Sequence, residues 1–127
     1  MLTGVIVTHA GLAAALNEAV ARVAGDTSAF VNVSNDGCSA EEIRARIAAA
    51  LDGRHDDGTI VFVDLAGGSC AVASLLALGD RDRVRILTGV NLAMLVDFAL
   101  RRGELSLDAM VERLLQRGKA SIRELKV

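Results

Sequence analysis

The sequence predicts an α/β protein built on a single doubly wound, mostly parallel sheet. Two apolar, β-branched runs, residues 2–7 and 59–63, have the composition of buried strands. Each run leads into a segment with helical periodicity, and the alternation of strand and helix continues along the chain. Since strands alternating with helices of about 10–14 residues form parallel βαβ units with right-handed crossovers, we expect helices on both faces of the sheet.

Bulk composition indicates one globular domain spanning residues 1–127. Hydrophobic residues make up 52% of the chain and charged residues 24%, a balance typical of folded proteins. No apolar run reaches the roughly 18 residues that a membrane span requires, and the N-terminus lacks the basic start of a signal peptide. We therefore expect a cytoplasmic protein that does not insert directly into membranes.

Charge and aromatic content make nucleic acid an improbable partner. The net charge of −2 gives no electrostatic attraction to phosphate backbones, and aromatic side chains, at 2% of residues, leave almost nothing to stack on bases. The two cysteines, Cys38 and Cys70, lie too far apart in the sequence for a metal-binding or redox pair motif. Reduced thiols are therefore expected, and we expect neither a cofactor nor a metal site.

The predicted elements follow one another without a linker or repeat. The strands are expected at residues 2–7, 29–33, 58–64 and 83–88. The second strand is the weakest and is expected nearer the sheet edge. The alternating tail Ala120–Leu125 suggests a final, half-exposed strand, which we expect as a C-terminal antiparallel edge strand.

Capping residues delimit the predicted helices. The first helix starts at residue 12 and ends at Gly25, with one apolar face made of Leu12, Leu16, Ala19, Val20 and Val23. Ser39 and Glu42 form a capping box for the second helix, and the third spans residues 69–78. Asn91 and Ser106 are expected to cap the last two helices, and Gly118 to stop the last.

Strand order decides whether the polar strand ends can meet. In the flavodoxin-like order 2-1-3-4, the first and third strands are neighbours at the point where ligands bind in such sheets. His9 follows the first strand and Asp64 ends the third, so this order directs both side chains into one crevice. The segment Gly67-Gly68-Ser69 then opens the next helix beside them.

These residue types have complementary chemistry. A buried carboxylate at Asp64 needs a partner, and an imidazole N–H is a suitable one. That hydrogen bond would fix the tautomer of His9 and leave its other nitrogen as a nucleophile. Gly67, Gly68 and Ser69 supply free backbone N–H groups at a helix N-terminus, where a phosphoryl group is favoured.

Three segments resemble the signatures of a known family, the mannose-family enzyme IIA domain of the bacterial phosphoenolpyruvate-dependent sugar phosphotransferase system. They are residues 5–11, 63–69 and 88–95, in the family's order and spacing. The resemblance implies a phosphotransferase that accepts a phosphoryl group on a histidine from the phosphocarrier HPr and passes it to an enzyme IIB in sugar uptake. It also implies a homodimer in which the C-terminal strand joins the partner's sheet.

Carried onto this sequence, the resemblance makes His9 the phosphorylated histidine, Asp64 the carboxylate that orients it, and Ser69 the helix-opening serine near the phosphoryl group. The family typically continues this motif with Pro, an aromatic residue and Asn, whereas this chain has residues 70–72, Cys-Ala-Val. This departure alters the rim that partner proteins contact but leaves the charged centre intact.

Other functions remain open at this point. The same histidine suits a regulatory phosphorylation sensor without a transport role, or the phosphoryl-donor subunit of a dihydroxyacetone kinase. A serine hydrolase is less favoured, because Ala71 stands where the nucleophile elbow needs its second glycine. Cys70 at a helix N-terminus could act as a nucleophile, but a small buried filler is the more common role of such a cysteine.

Overall fold

The computed structural model describes residues 1–25, 28–53 and 57–126. Four strands form the sheet: β1 (Thr3–Thr8), β2 (Phe30–Ser34), β3 (Thr59–Val63) and β4 (Val84–Thr88). Five helices surround it: α1 (Leu12–Ala24), α2 (Ala40–Asp52), α3 (Ser69–Leu78), α4 (Leu92–Arg101) and α5 (Leu107–Ala120). The predicted α/β class is therefore confirmed.

The four strands lie in the order β2-β1-β3-β4, and every pairing in this sheet is parallel. The predicted order is confirmed, with β1 and β3 as the central pair. Both central strands are buried along their whole length, whereas β2 and β4 have partly exposed residues. The central position of β1 and β3 explains their continuous apolar sequences, because a parallel strand covered on both faces has no side exposed to solvent.

Alternate residues of β1 face two separate cores. Ile6 packs in a core with residues of α1, α4 and α5, whereas Val5 and Val7 pack with residues of α2 and α3. This division follows the two-residue period of a strand. The helices therefore cover both faces of the sheet, as the sequence predicted.

All three phenylalanines of the chain meet in the first of these cores. The ring centroids of Phe30, Phe62 and Phe98 lie 5.2 to 5.9 Å apart, two of the pairs in edge-on geometry. Gly4 completes the packing, since a Cβ atom at this position would lie 2.6 Å from a ring carbon of Phe30. The aromatic cluster thus joins β2 and β3, the strands on either side of β1, to α4.

The apolar face predicted for α1 is only partly correct. Val20 is fully buried and Leu16 packs against the core, but Leu12 and Val23 are exposed by 44% and 65%. Ala13 is buried in place of Leu12. The chain turns sharply before α1, and this turn rotates the helix so that a smaller residue faces the sheet.

The expected stop at Gly118 is wrong, because α5 continues to Ala120. Gly118 is buried inside the helix against α4, where an added Cβ would lie 2.8 Å from Cε of Met94. Its carbonyl also accepts a hydrogen bond from Nδ2 of Asn91 at 3.1 Å. The glycine therefore allows close approach of two helices rather than ending one.

The other capping predictions are confirmed. Gly25 has a left-handed φ of 80° at the end of α1, and Ser39 and Glu42 form the reciprocal capping box of α2. Asn91 and Ser106 each accept a backbone N–H in the first turn of α4 and α5.

The predicted C-terminal antiparallel edge strand is not formed in the single chain. Residues 122–126 have no regular secondary structure, and Ile122 and Leu125 are exposed by 82% and 93%. A strand of this length has little stability without a sheet to join. No helix within the described ranges is long and apolar enough to cross a bilayer.

Candidate functional site

The site lies at the carboxyl ends of β1 and β3, the central pair of strands. β1 ends at Thr8, one residue before His9, and β3 ends at Val63, one residue before Asp64. The register pairs Val7 with Val63. Parallel pairing therefore brings the two polar residues to the same edge of the sheet, as predicted.

Asp64 holds His9 through two hydrogen bonds to one carboxylate oxygen. Oδ2 lies 2.9 Å from Nδ1 of the imidazole and also accepts the backbone N–H of His9 at 2.9 Å. The second oxygen, Oδ1, accepts the backbone N–H of Leu65 at 2.9 Å. The carboxylate is thus fixed from two sides and fixes the ring in turn.

The pKa of Asp64 keeps this carboxylate ionised. Burial alone raises its pKa, but hydrogen bonds from the backbone and ring of His9, and then from the backbone of Leu65, outweigh burial and lower it overall. An ionised carboxylate only accepts hydrogen bonds, so Nδ1 carries the ring proton. In the neutral ring, Nε2 then keeps its lone pair.

The turn between β1 and α1 is held by side chains at the ends of β1 and β2. Ala10 has a left-handed φ of 52°, unusual for a residue with a side chain. Its N–H donates to Oδ1 of Asn35 at 3.1 Å, and its carbonyl accepts from Oγ of Ser34 at 2.6 Å. Oγ1 of Thr8 accepts the N–H of Ala13 at 2.7 Å and so caps α1. These contacts set the direction in which His9 leaves the strand.

The contribution of Ser34 and Asn35 to this turn was not predicted from the sequence. The available signal was their position at the carboxyl end of β2, the neighbour of β1 in the predicted order. Polar residues at that place can reach the turn after β1.

The glycine segment opens α3 beside the imidazole. Gly68 is the N-cap, and a Cβ added to it would lie 2.8 Å from Cε1 and 3.3 Å from Nε2 of His9. The absence of a side chain lets the ring sit against the start of the helix. Ser69 is the first residue of α3, so the positive N-terminal end of the helix dipole lies beside the imidazole. The structure therefore brings together His9, Asp64 and the glycine segment.

Cys70 is also part of this cluster, although no sequence motif linked it to His9. Its side chain is fully buried, and Sγ lies 3.9 Å from Nδ1 of His9. Burial, followed by the charge of Asp64, raises the pKa of the thiol. A protonated thiol is a poor nucleophile, so the geometry does not support the cysteine mechanism.

The serine hydrolase alternative also lacks its geometry. In a catalytic triad, the serine hydroxyl is hydrogen-bonded to the imidazole nitrogen opposite the carboxylate. Within the part of the chain that the structure describes, the ring of His9 bonds through Nδ1 to Asp64, and no hydrogen bond joins it to Ser69.

The sequence matches the model of a protein family described as the PTS system fructose IIA component, EIIA-man, over residues 3–115. This range includes all four strands, the site and most of α5. The chain belongs to this family. The resemblance inferred from the three segments is thereby confirmed, and EIIA-man proteins are components of the phosphotransferase system.

Solved structures show the same fold at low sequence identity. An EIIA component of the phosphotransferase system from Streptococcus agalactiae is 21% identical, with a TM-score of 0.89 and 98% of this chain and 97% of that chain covered. A mannose/sorbose-specific IIA subunit from Enterococcus faecalis is 22% identical, with a TM-score of 0.84 and coverage of 98% and 95%. A PTS IIA protein associated with the fucose utilization operon of Streptococcus pneumoniae is 20% identical, with a TM-score of 0.82 and coverage of 97% and 92%. No curated protein sequence matches the chain significantly.

We predict that Gly68→Ala displaces the imidazole in this EIIA-man protein. The new methyl group would overlap Cε1 of His9, which forces the ring away from Asp64. Overpacking of this kind costs on the order of 1 kcal/mol of unfolding free energy. The ring nitrogens of His9 in ¹⁵N NMR spectra should then show the loss of the Nδ1–H hydrogen bond.

Gly67→Ala is the matched control, because a Cβ at Gly67 meets no atom within 4 Å. Its spectrum and unfolding free energy should stay near those of the parent. Equal spectra for the two variants would mean that Gly68 is not needed for the position of the ring.

Proposed function

We propose that this EIIA-man chain is a phosphoryl relay in sugar uptake, with His9 as the phosphorylated residue. It accepts the phosphoryl group from HPr on Nε2 and passes it to an enzyme IIB. The observation that carries the proposal is the hydrogen bond between Asp64 and Nδ1, which leaves Nε2 as a lone-pair nitrogen at the start of α3. Family membership supports the same reaction.

The chemistry follows from these positions. The Nε2 lone pair attacks the phosphorus atom on the donor's histidine, a new N–P bond forms, and the bond to the donor nitrogen breaks. The proton on Nδ1 stays in its hydrogen bond, and the charge of Asp64 compensates the positive charge that develops on the ring. Transfer to enzyme IIB reverses these steps with a new acceptor.

Gly67, Gly68 and Ser69 are proposed as the phosphoryl-binding segment. The backbone N–H groups at the start of α3 suit the equatorial oxygens of the phosphoryl group, which carry most of its charge in transfer. Catalysis of this kind needs mainly positioning and electrostatic stabilisation. The hydroxyl of Ser69 adds one more donor at the same end of the helix.

The identity of the transported sugar is not part of this proposal. The names of similar structures include mannose, sorbose and fucose systems. A domain that carries only the phosphoryl group has no need to contact the sugar. The regulatory sensor and the dihydroxyacetone kinase subunit use the same reaction at His9, and no contact in the structure favours either over transport.

The central test is phosphorylation of His9. Incubation with phosphoenolpyruvate, enzyme I and HPr should add one phosphoryl group per chain, in a bond that is labile to acid and stable to base. His9→Ala should abolish labelling. His55, the other histidine, lies outside the described residues, and His55→Ala should leave labelling intact. Label that survives acid, or that persists in His9→Ala, contradicts the relay.

Asp64→Asn tests the orienting carboxylate. The amide can present a donor or an acceptor to the ring, so the tautomer is no longer fixed and the ring charge goes uncompensated. The analogous change in hydrolytic triads costs about 10⁴-fold. For phosphoryl transfer we predict that phosphorylation slows at least tenfold while the circular dichroism spectrum stays native. Unchanged kinetics would reduce Asp64 to a cap of the following turn.

We also propose a homodimer in which the exposed tail takes part. A groove of about 500 Å³ runs beside the tail, and its lining includes Val23, Leu92, Val96, Leu100, Ala120, Ser121 and Arg123. Ile122 and Leu125 leave large apolar areas uncovered in the single chain. The outer edge of β4 is unpaired in the described sheet, so it can accept a strand from a second copy.

Deletion of residues 121–127 tests this arrangement without shortening α5. The truncated protein should sediment as a monomer, because it lacks the segment proposed to join the partner's sheet. The full chain at the same concentration is the control. A truncated protein that still sediments as a folded dimer would show that the tail is not the contact.

A further inference from the structure

Three atoms capable of binding a metal ion meet at the site. Nδ1 of His9, a carboxylate oxygen of Asp64 and Sγ of Cys70 all lie within 4.8 Å of one another. The closest pairs are Nδ1 with Oδ2 at 2.9 Å and Nδ1 with Sγ at 3.9 Å. His9 is 55 residues from Asp64 and 61 from Cys70 in the sequence, so the fold brings it to the other two.

We propose that His9, Asp64 and Cys70 bind a divalent cation of the zinc type and that this binding blocks the phosphoryl relay. An imidazole, a carboxylate and a thiolate are the three ligand types that zinc uses, and three protein ligands leave a fourth position for water. The relay part of this inference rests on the proposed function, whereas the binding of the cation does not.

The distances suit such an ion after small movements. Zinc bonds of about 2.0–2.3 Å in a tetrahedral site put neighbouring ligand atoms roughly 3.3–3.8 Å apart. The separation of Nδ1 and Oδ2 must open by a few tenths of an ångström, and that of Nδ1 and Sγ already lies near this range. The carboxylate oxygen and Sγ are at most 4.8 Å apart and must close by no more than about 1.5 Å.

The ligands are also held in place before the ion arrives. The N–H groups of His9 and Leu65 anchor the two oxygens of Asp64. Outer hydrogen bonds of this kind orient metal ligands in proteins. The thiol of Cys70 is buried, but the side chain of His9 is 38% exposed, so a small cation can enter past the ring.

Binding of the ion through Nδ1 would move the ring proton to Nε2 and so remove the lone pair that attacks phosphorus. The ion takes the lone pair of Nδ1, so the single proton of the neutral ring moves to Nε2, and the thiol of Cys70 releases its proton to solvent. A protonated Nε2 cannot attack phosphorus. Conversely, attack through Nε2 leaves an imidazolium ring whose Nδ1–H stays bonded to Asp64, and the ion can bind only if that proton is lost. Cation binding and phosphorylation of His9 therefore compete.

Cobalt titration tests the cation site directly. Co²⁺ bound through a thiolate gives a sulfur-to-metal charge-transfer absorption, which we expect at one ion per parent chain. The absorption should be lost in Cys70→Ser and His9→Ala, and retained in Cys38→Ser, the matched control at the other cysteine. Absence of the absorption in the parent, or its persistence in Cys70→Ser, overturns the proposal.

Phosphorylation with and without Zn²⁺ tests the link to the relay. Each variant is compared with its own rate in a chelator. Zn²⁺ at a saturating concentration should slow phosphorylation of the parent and of Cys38→Ser at least tenfold more than phosphorylation of Cys70→Ser. The slowing seen with Cys70→Ser measures any effect of Zn²⁺ on the donor proteins. Equal slowing of all three chains overturns the inference. A parent that is never phosphorylated, yet gives the cobalt absorption, refutes the relay and leaves the cation site standing.

Discussion

The hydrogen bond between Asp64 and Nδ1 of His9 is the interaction on which the site depends. It fixes the ring, assigns the proton to Nδ1 and leaves Nε2 free, all through one carboxylate. The same oxygen binds the backbone of His9, so the orientation of the ring is tied to the path of the chain. Any change that moves one strand end relative to the other alters this bond first.

The sheet makes such movement difficult. β1 and β3 are paired along all of β3 and are covered by helices on both faces. Close-packed interiors resist displacement, because a shift in one element requires its neighbours to move as well. His9 and Asp64 lie outside this rigid layer, just after the ends of the strands. The fold therefore combines a stiff platform with a partly exposed imidazole, as the proposed relay between two protein partners requires.

Much of the fold and the charged centre could be predicted from the sequence. Continuous apolar strands ending in His9 and Asp64 indicate a buried parallel pair with polar ends, and capping chemistry gives the starts of the helices. The errors concern tertiary contacts. Gly118 was expected to stop a helix, but it lies within α5, where its packing against Met94 explains the need for a glycine. The face of α1 depends on a turn whose geometry local sequence does not specify.

The position of Cys70 beside His9 is another tertiary contact that local sequence does not show. Periodicity identifies it as a small residue at the start of a helix, and its distance to His9 depends on how α3 docks on the sheet. Ser34 and Asn35, at the end of β2, likewise contact Ala10 only because β2 lies beside β1 in the sheet. Residues that meet through topology leave no local signature, so the sequence identified the chemical centre but not its supports.

The inner face of α3 limits which substitutions the site can tolerate during evolution. It is lined by the small side chains of Cys70, Ala71, Ala73 and Ala77, which lets the helix lie close to the sheet. The depth of its docking fixes the height of Gly68 against the imidazole. A larger residue at Ala77, two turns from the site, would lift the helix and widen the gap above His9. Reactivity in this fold is therefore constrained at positions that never touch a reacting atom.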